Sequence, residues 1–243
     1  MVMQILGPFP VSGHLAMPKI VMLHSMGGSE GRYTVSSLVI TKIIEKKRTI
    51  LSFDDGYSDI FVYAQDILRR LSNRAIIFLV AGKIGGVNDW DCSCELAGKP
   101  LLDWEQVSEL KKAGVQFGSH SLTHADLTKL ENEELDREIR ESKRILEEKL
   151  GRPIDGFSYP FGFFNNRVIT ALRNAGYKWA VTTSDSIWEG LGNPYRIRRI
   201  SISGLDPEWL LRTKLNGLYD IKAFWELPKL VADKISLTLK KNS

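Results

Sequence analysis

Three short motifs stand at the ends of predicted strands, and two of them carry residue types that metal chemistry needs. Asp54 and Asp55 stand side by side, His120 and His124 are four positions apart, and the third motif is Tyr-Pro-Phe-Gly at 159–162. A spacing of four brings two imidazoles to one side of a helical turn, which suits two ligands of one ion. Taken alone, each motif is equally typical of a polar turn at the end of a strand.

The two aspartates cannot easily bind one ion together, because neighbouring residues on a strand point in opposite directions. A turn at Gly56 lets them take separate tasks. One carboxylate with His120 and His124 gives a donor set that leaves metal positions open for water and substrate. The other carboxylate would act as general base toward that water. The sequence therefore predicts a catalytic centre for a divalent metal, which would also offset the repulsion between the two acids.

The elements that must position these motifs alternate between short apolar runs and amphipathic stretches. Continuous apolar runs are typical of parallel strands covered on both faces, and the helices show apolar residues at helical spacing. Repeated strand–helix units predict a distorted, incomplete (β/α) barrel of about seven parallel strands, with chemistry at the carboxyl ends of the strands. The predicted strands are 19–24, 49–53, 75–80, 115–120, 156–160, 178–183 and 196–202, and the predicted helices are 59–73, 103–114, 131–151 and 166–176.

Composition is that of a soluble globular protein, with 43% hydrophobic and 26% charged residues in a chain of 243. No apolar run approaches the roughly 20 residues that span a bilayer, and the N-terminus lacks the pattern of a signal peptide, so we expect a cytoplasmic protein. A net charge of +4 without an aromatic-interleaved basic motif does not support nucleic-acid binding. We expect the basic clusters at 46–48 and 196–199 to be solvated, and Cys92 and Cys94 to be free thiols.

The three motifs together resemble a known family. SFDDGY at 52–57, SHSLTH at 119–124 and YPFG at 159–162 are similar, in this order, to three motifs of the polysaccharide deacetylases, carbohydrate esterase family four. The resemblance extends over about residues 19–203. It implies a distorted (β/α) barrel and the metal-dependent removal of an acetyl group from a sugar.

The resemblance also implies a role for each motif residue. Asp54 would be the general base. Asp55, His120 and His124 would bind the metal, most often zinc. The backbone N–H of Phe161 would help to form an oxyanion hole, which holds the negative charge of a tetrahedral intermediate.

The sequence departs from the common family pattern in two places. Ser158 stands where that pattern has an arginine, two residues before the proline of the third motif, and no histidine follows His124 to act as general acid. A closer resemblance is to the poly-N-acetylglucosamine deacetylase-like variant, in which an early histidine takes the acid role. His24 ends the first predicted strand and is the candidate acid. The alternative is a hydrogen-bonded histidine at a strand end.

The function implied is removal of acetyl groups from an N-acetylated sugar or oligosaccharide. Two alternatives stay open, a hydrolase of another non-peptide C–N bond and a catalytically silent carbohydrate-binding relative. We expect the barrel domain to occupy 1–204 and a helical extension at 205–243 to pack on it and to contact a partner or a membrane surface. Residues 83–100 are predicted to be a substrate-facing loop. Three tryptophans are candidates either for stacking on a sugar ring or for core packing. They are Trp90, Trp104 and Trp188.

Overall fold

A computed structural model describes residues 19–27, 31–45, 49–71, 74–91, 95–183 and 193–216. Cys92, Cys94, Trp188 and the predicted extension beyond residue 216 lie outside these ranges. The packing of that extension and its contact with a partner therefore stay predictions.

The sheet is built from parallel strands, as the repeated strand–helix pattern predicts. Seven strands form it in the order β8-β7-β6-β5-β4-β1-β9, and every pair within it is parallel. A separate parallel pair is formed by β2 and β3. The prediction of a distorted, incomplete barrel is confirmed. The bounds are β1 Lys19–Leu23, β2 Ser25–Met26, β3 Thr34–Val35, β4 Thr49–Phe53, β5 Ala75–Leu79, β6 Gln116–Ser119, β7 Gly156–Ser158, β8 Trp179–Val181 and β9 Ile200–Ser201.

The chain at 194–202 connects the two edges of this sheet. Its start lies against β8, where the Thr182 amide donates to the Ile197 carbonyl over 2.9 Å. Its end is β9, which pairs with β1. This stretch therefore acts as an irregular last strand, and Arg199 lies between its two points of contact.

The helices cover the outer face of the sheet. The four predicted helices are present and slightly shorter than predicted, and one unpredicted helix, α1, precedes β4. The long helix α4 buries Leu135, Ile139, Leu146 and Leu150, as its periodicity predicts, and ends at Gly151 with φ 62°. None of the described helices is both long and apolar enough to cross a membrane. The bounds are α1 Ser37–Ile44, α2 Asp59–Leu71, α3 Trp104–Lys112, α4 Asn132–Leu150, α5 Asn166–Asn174 and α6 Glu208–Asn216.

The strands other than β9 are largely buried on both faces, and this decides which residues reach the site. A large apolar cluster lies between the sheet and the helices. A smaller cluster on the other face includes Ile50, Ile76, Phe78 and Trp179. Because alternate residues of a strand share a face, the face of Ile50 continues into Ser52 and then Asp54. The inner apolar layer thus ends directly in polar residues.

Candidate active site

Asp55, His120 and His124 come together beyond the carboxyl ends of β4 and β6. One ligand atom from each residue lies within 4.8 Å of the other two, and all three residues are buried. The Asp55 Oδ1 atom is 3.4 Å from His120 Nε2 and 3.3 Å from His124 Nε2. Among the residues that the structure describes, this oxygen has no hydrogen-bond partner although it is buried. The three side chains therefore fit a divalent cation, which would satisfy that oxygen.

The charges of the cluster suit the same ion. Burial opposes ionisation of Asp55, but the two neighbouring histidines hold the pKa of its carboxyl well below the ordinary value. Burial lowers the pKa of His124, which favours the neutral ring that a metal requires. Burial would also lower the pKa of His120, but Asp54 and Asp55 outweigh it and raise that pKa. A bound cation would replace the proton that these carboxylates favour on His120.

The backbone of the three motifs is strained at the residues that face the cluster. Within the described ranges, the non-glycine residues with positive φ are Asp55 at 67°, Ser121 at 68°, His124 at 66° and Phe161 at 57°. Such conformations are uncommon outside glycine and persist where the surrounding structure enforces them, often at functional sites. At Asp55 the left-handed turn breaks the alternation of the strand. The two neighbouring aspartates can therefore serve different partners.

The loop that carries the two histidines is anchored by helix α4. The Glu138 carboxylate accepts hydrogen bonds from the amides of Leu122, over 2.9 Å, and Thr123, over 3.0 Å. It also accepts one from the Thr123 hydroxyl over 2.6 Å. The His124 amide donates to the Ser121 hydroxyl over 3.0 Å. Glu138 is itself buried, so a charged group of a rigid helix fixes the backbone that presents His124.

Asp54 is paired with a buried arginine. The two Arg199 Nη atoms donate to the two Asp54 oxygens, each over 2.7 Å, and the Ser158 hydroxyl donates to Oδ2 over 3.2 Å. Burial would raise the pKa of Asp54, but Arg199 and, next, His120 hold it below its ordinary value. These donors take three of the roughly four acceptor positions of the carboxylate and leave one for another donor.

Our prediction that the basic cluster at 196–199 is solvated is wrong for Arg199. This residue is 1% exposed. Its Nε atom donates to the Thr182 carbonyl over 3.0 Å, and one Nη atom donates to the Ser52 hydroxyl over 3.2 Å. The signal was available in the predicted strand at 196–202. Ile197 and Ile200 put apolar residues on both faces of this strand, so a charged residue that is buried between them needs a partner.

Arg199 also bears on the departure at Ser158. The common family pattern has an arginine at the position of Ser158, and here the guanidinium reaches Asp54 from Arg199 instead. The Ser158 hydroxyl lies between the two, because it accepts from Arg199 Nη2 over 2.9 Å and donates to Asp54. The Ser158 carbonyl lies 2.8 Å from His120 Nδ1. A proton on that nitrogen leaves Nε2 as the metal-binding atom.

His24 and Phe161 lie at the same end of the barrel. Leu23 pairs with Phe53 in the register of β1 and β4, so His24 follows beside Asp54. His24 is close enough to contribute to the lowered pKa of Asp54, and its ring meets Tyr33 edge-on at 5.2 Å between centroids. Phe161 lies in the turn Pro160–Gly162 and is 44% exposed. Its ring meets His124 edge-on at 4.6 Å.

Trp90 contacts both the site and the large apolar cluster, whereas Trp104 contacts that cluster. The Trp90 ring stacks on His124, with centroids 4.7 Å apart. Trp104 begins α3 and packs against the large apolar cluster. The loop at 83–100 is tied to the first motif, because Tyr57 forms an antiparallel bridge with Leu101. One wall of the cluster thus comes from this loop.

Fold and cluster together define a (β/α)-barrel protein with a donor set for a divalent metal, a class in which many hydrolases occur. The model of the polysaccharide deacetylase family matches residues 42–180, more than half of the chain. The chain belongs to the polysaccharide deacetylase family, a family of hydrolases that act on C–N bonds of acetylated sugars.

Two curated relatives match over much of the chain. YxkH of Bacillus subtilis strain 168, named for the same family, is 27% identical over 183 residues, which are 74% of this chain and 61% of YxkH. A poly-β-1,6-N-acetyl-D-glucosamine N-deacetylase of Staphylococcus aureus strain MRSA252 is 22% identical over 65% of this chain and 55% of its own. The chain thus spans less than two thirds of the length of both relatives.

Two solved structures share the fold. The deacetylase PplD of Streptococcus pyogenes superposes with a TM-score of 0.69 at 20% identity, over 81% of this chain and 97% of that chain. IcaB from Ammonifex degensii superposes with a TM-score of 0.60 at 18% identity, over 83% of this chain and 98% of that chain. At these identities the likeness supports the fold, and the chemistry has to be argued from the residues of this chain.

Proposed function

We propose that this chain is a metal-dependent deacetylase that hydrolyses the amide of an N-acetylated sugar or oligosaccharide. The observation that carries the proposal is the buried cluster of Asp55, His120 and His124 beside the ion-paired carboxylate of Asp54. A surface turn gives no reason to bury two histidines and two acids or to hold Asp55 and His124 at positive φ. A hydrolytic centre has that reason, because desolvated charges act more strongly there.

Two imidazoles and one carboxylate, with further positions open, are the donor set of many catalytic zinc sites. We therefore propose zinc, although iron(II) favours the same donors and has to be compared with it. The metal would polarise the acetyl carbonyl and lower the pKa of a water molecule. The remaining work falls to side chains and backbone of this chain.

Asp54 is proposed as the general base. Its ion pair with Arg199 keeps the carboxylate ionised and oriented, and one acceptor position stays free for a proton from the attacking water. The Phe161 amide is proposed as an oxyanion donor. This proposal is supported by the edge-on contact of the Phe161 ring with His124, at 4.6 Å, and by the positive φ of 57° in the turn that carries the amide.

His24 is proposed as the general acid. The amine can leave only after its nitrogen has been protonated, and among the described residues no histidine follows His124 in the chain. His24 lies beside Asp54 across β1 and β4, so a substrate held between them could lose its C–N bond as the imidazolium donates its proton. The products are acetate and the free amino sugar.

The substrate class is supported by family membership and by the activity for which the staphylococcal relative is named. An N-acetylated carbohydrate is therefore the proposed partner. The division at residue 204 and the cytoplasmic location predicted from the N-terminus stay predictions.

The test is an acetate-release screen over N-acetylhexosamine monomers and oligomers with protein reconstituted separately with zinc, cobalt and iron(II). Asp54→Asn should lose release by at least about a hundredfold and keep its metal, because it removes the base and leaves the three metal-binding residues in place. Circular dichroism checks that this variant is folded, since the change also leaves the buried Arg199 without its carboxylate partner. His120→Ala should lose both. Asp136→Asn, the same change in an exposed ion pair on α4, is the matched control.

Three outcomes separate this proposal from its alternatives. Acetate release that requires Asp54 supports it. Amine or ammonia release without acetate would indicate a hydrolase of another C–N bond. Stoichiometric metal with no turnover of any substrate would indicate a silent carbohydrate-binding relative.

A further inference from the structure

The two histidines of the cluster are held in different ways. His120 Nδ1 lies 2.8 Å from the Ser158 carbonyl, which fixes the ring and directs Nε2 to the ion. His124 Nδ1 is buried but has no hydrogen-bond partner among the residues that the structure describes. Some other contact must therefore keep the His124 ring in place.

That contact is aromatic. The Trp90 and His124 rings lie nearly parallel, 21° apart, with centroids separated by 4.7 Å. Phe161 meets the same imidazole edge-on, at 77° and 4.6 Å. Because a stacked indole opposes rotation of the imidazole out of the common plane, it can do what the hydrogen bond does for His120. Trp90 has no role in the proposed chemistry itself.

Trp90 is in turn fixed by Asn88, which is 1% exposed. The Asn88 side-chain oxygen accepts from the amides of Trp90, over 3.2 Å, and Asp91, over 3.1 Å. Its side-chain nitrogen donates to the Tyr57 hydroxyl over 2.7 Å. Tyr57 lies two residues after Asp55. A continuous set of contacts therefore connects the aspartate ligand, the loop and the second histidine ligand.

We propose that Trp90 is a positioning residue that holds His124 for metal binding. This inference rests on the metal site of the proposed function and extends it to a residue outside the three motifs. Loss of the stack should weaken the affinity for metal, because His124 must then be ordered when the ion binds. Groups that orient a metal ligand are typically worth about 10- to 100-fold in affinity, and we expect about tenfold or more.

The experiment measures the zinc dissociation constant by competition with a chromogenic chelator. Trp90→Ala should bind about tenfold or more weakly, and Trp90→Phe should restore most of the affinity because a phenyl ring can also stack. Trp90→Leu fills the space without a ring and should remain weak. Trp104→Ala, at a partly buried tryptophan that packs on the core under Lys149, should bind as the wild type does.

Two further readouts separate positioning from general damage. The metal-free variants are compared by circular dichroism and thermal unfolding, and Trp90→Leu takes the place of Trp90→Ala if the latter does not fold. The cobalt-substituted protein should show an altered visible spectrum in Trp90→Leu and a nearly unchanged one in Trp90→Phe. A wild type that binds no zinc would overturn the metal site of the proposed function. If folded Trp90→Leu binds zinc with the same affinity as the wild type, the role of Trp90 is overturned while the metal site of the proposed function stands.

Discussion

Replacing Arg199 by methionine should destabilise the protein strongly. The variant keeps the length of the side chain but leaves the Asp54 carboxylate buried, with the one bond from the Ser158 hydroxyl and without the two guanidinium bonds of 2.7 Å. Both partners are almost fully buried, so solvent does not weaken the pair. Removing one partner of a buried ion pair costs about 3–5 kcal/mol, a large share of the roughly 5–15 kcal/mol of a typical domain.

Urea unfolding of the metal-free protein measures this loss. Arg212→Met is the matched control, because it removes the same charge from an exposed pair with Glu208 and should leave the free energy of unfolding almost unchanged. The double variant Asp54→Asn with Arg199→Met should lose less than the sum of the single losses, by more than about 1 kcal/mol, because no charge is then left unpaired. A loss below about 1 kcal/mol for Arg199→Met, or additive losses, would refute the reasoning.

The destabilisation should depend on pH in a defined direction. In the folded wild type the pKa of Asp54 is below its ordinary value. The charged form therefore stabilises the fold fully above a pH of about 4, the ordinary pKa of an aspartate. This stabilisation is lost as the pH falls through the pKa of the folded state. Without Arg199, burial raises that pKa. The deficit of Arg199→Met should therefore be largest at neutral pH and should shrink toward pH 4, as urea midpoints at the two pH values would show. A deficit that grows in acid contradicts the assignment.

Three more outcomes follow from the contacts around the cluster. Ser158→Ala removes a hydroxyl that bonds both Asp54 and Arg199. It should lower the free energy of unfolding in urea by about 1 kcal/mol and leave the metal bound. Loss of the metal would contradict a role of this hydroxyl that is limited to the Asp54–Arg199 pair. Glu138→Gln weakens three charge-assisted hydrogen bonds to the loop that carries His124. It should lower the free energy of unfolding by about 1.5–3 kcal/mol and weaken zinc binding in chelator competition. Unchanged zinc affinity would be inconsistent with an anchoring role of Glu138. Zinc at about 100 times its dissociation constant should stabilise the wild type by about 2.7 kcal/mol and His120→Ala hardly at all. Thermal unfolding with and without zinc tests this. Equal increases of the unfolding temperature in both proteins would mean that zinc binds elsewhere.

The sequence predicted that Asp55, His120 and His124 come together, because each of them follows a parallel strand. The carboxyl ends of such strands meet at one edge, so order along the chain was enough to bring Asp55 and His120 together. The sequence also predicted the buried face of α4, because apolar residues recur at helical spacing along this long helix. The two-residue strands β2 and β3 are too short for periodicity to reveal.

The contacts that the sequence did not predict are those between distant side chains. Arg199 and Asp54 are 145 positions apart, and the local sequence around either residue does not identify the other as its partner. Trp90 reaches His124 only because Asn88 fixes the loop, and loop conformation follows from individual hydrogen bonds rather than from a repeating pattern. In both cases a buried polar group needed a partner, but identifying that partner required the fold.

The most direct test of the metal-dependent deacetylase is a zinc titration of the metal-free protein. Acetate release from N-acetylglucosamine oligosaccharides is followed as zinc is added, with His124→Ala as the variant that lacks a ligand. Release should be absent without metal, rise linearly, and reach a plateau at one zinc per chain in the wild type only. Full release by protein free of divalent metal, or an equal response in His124→Ala, would contradict the role of Asp55, His120 and His124 as the catalytic metal site.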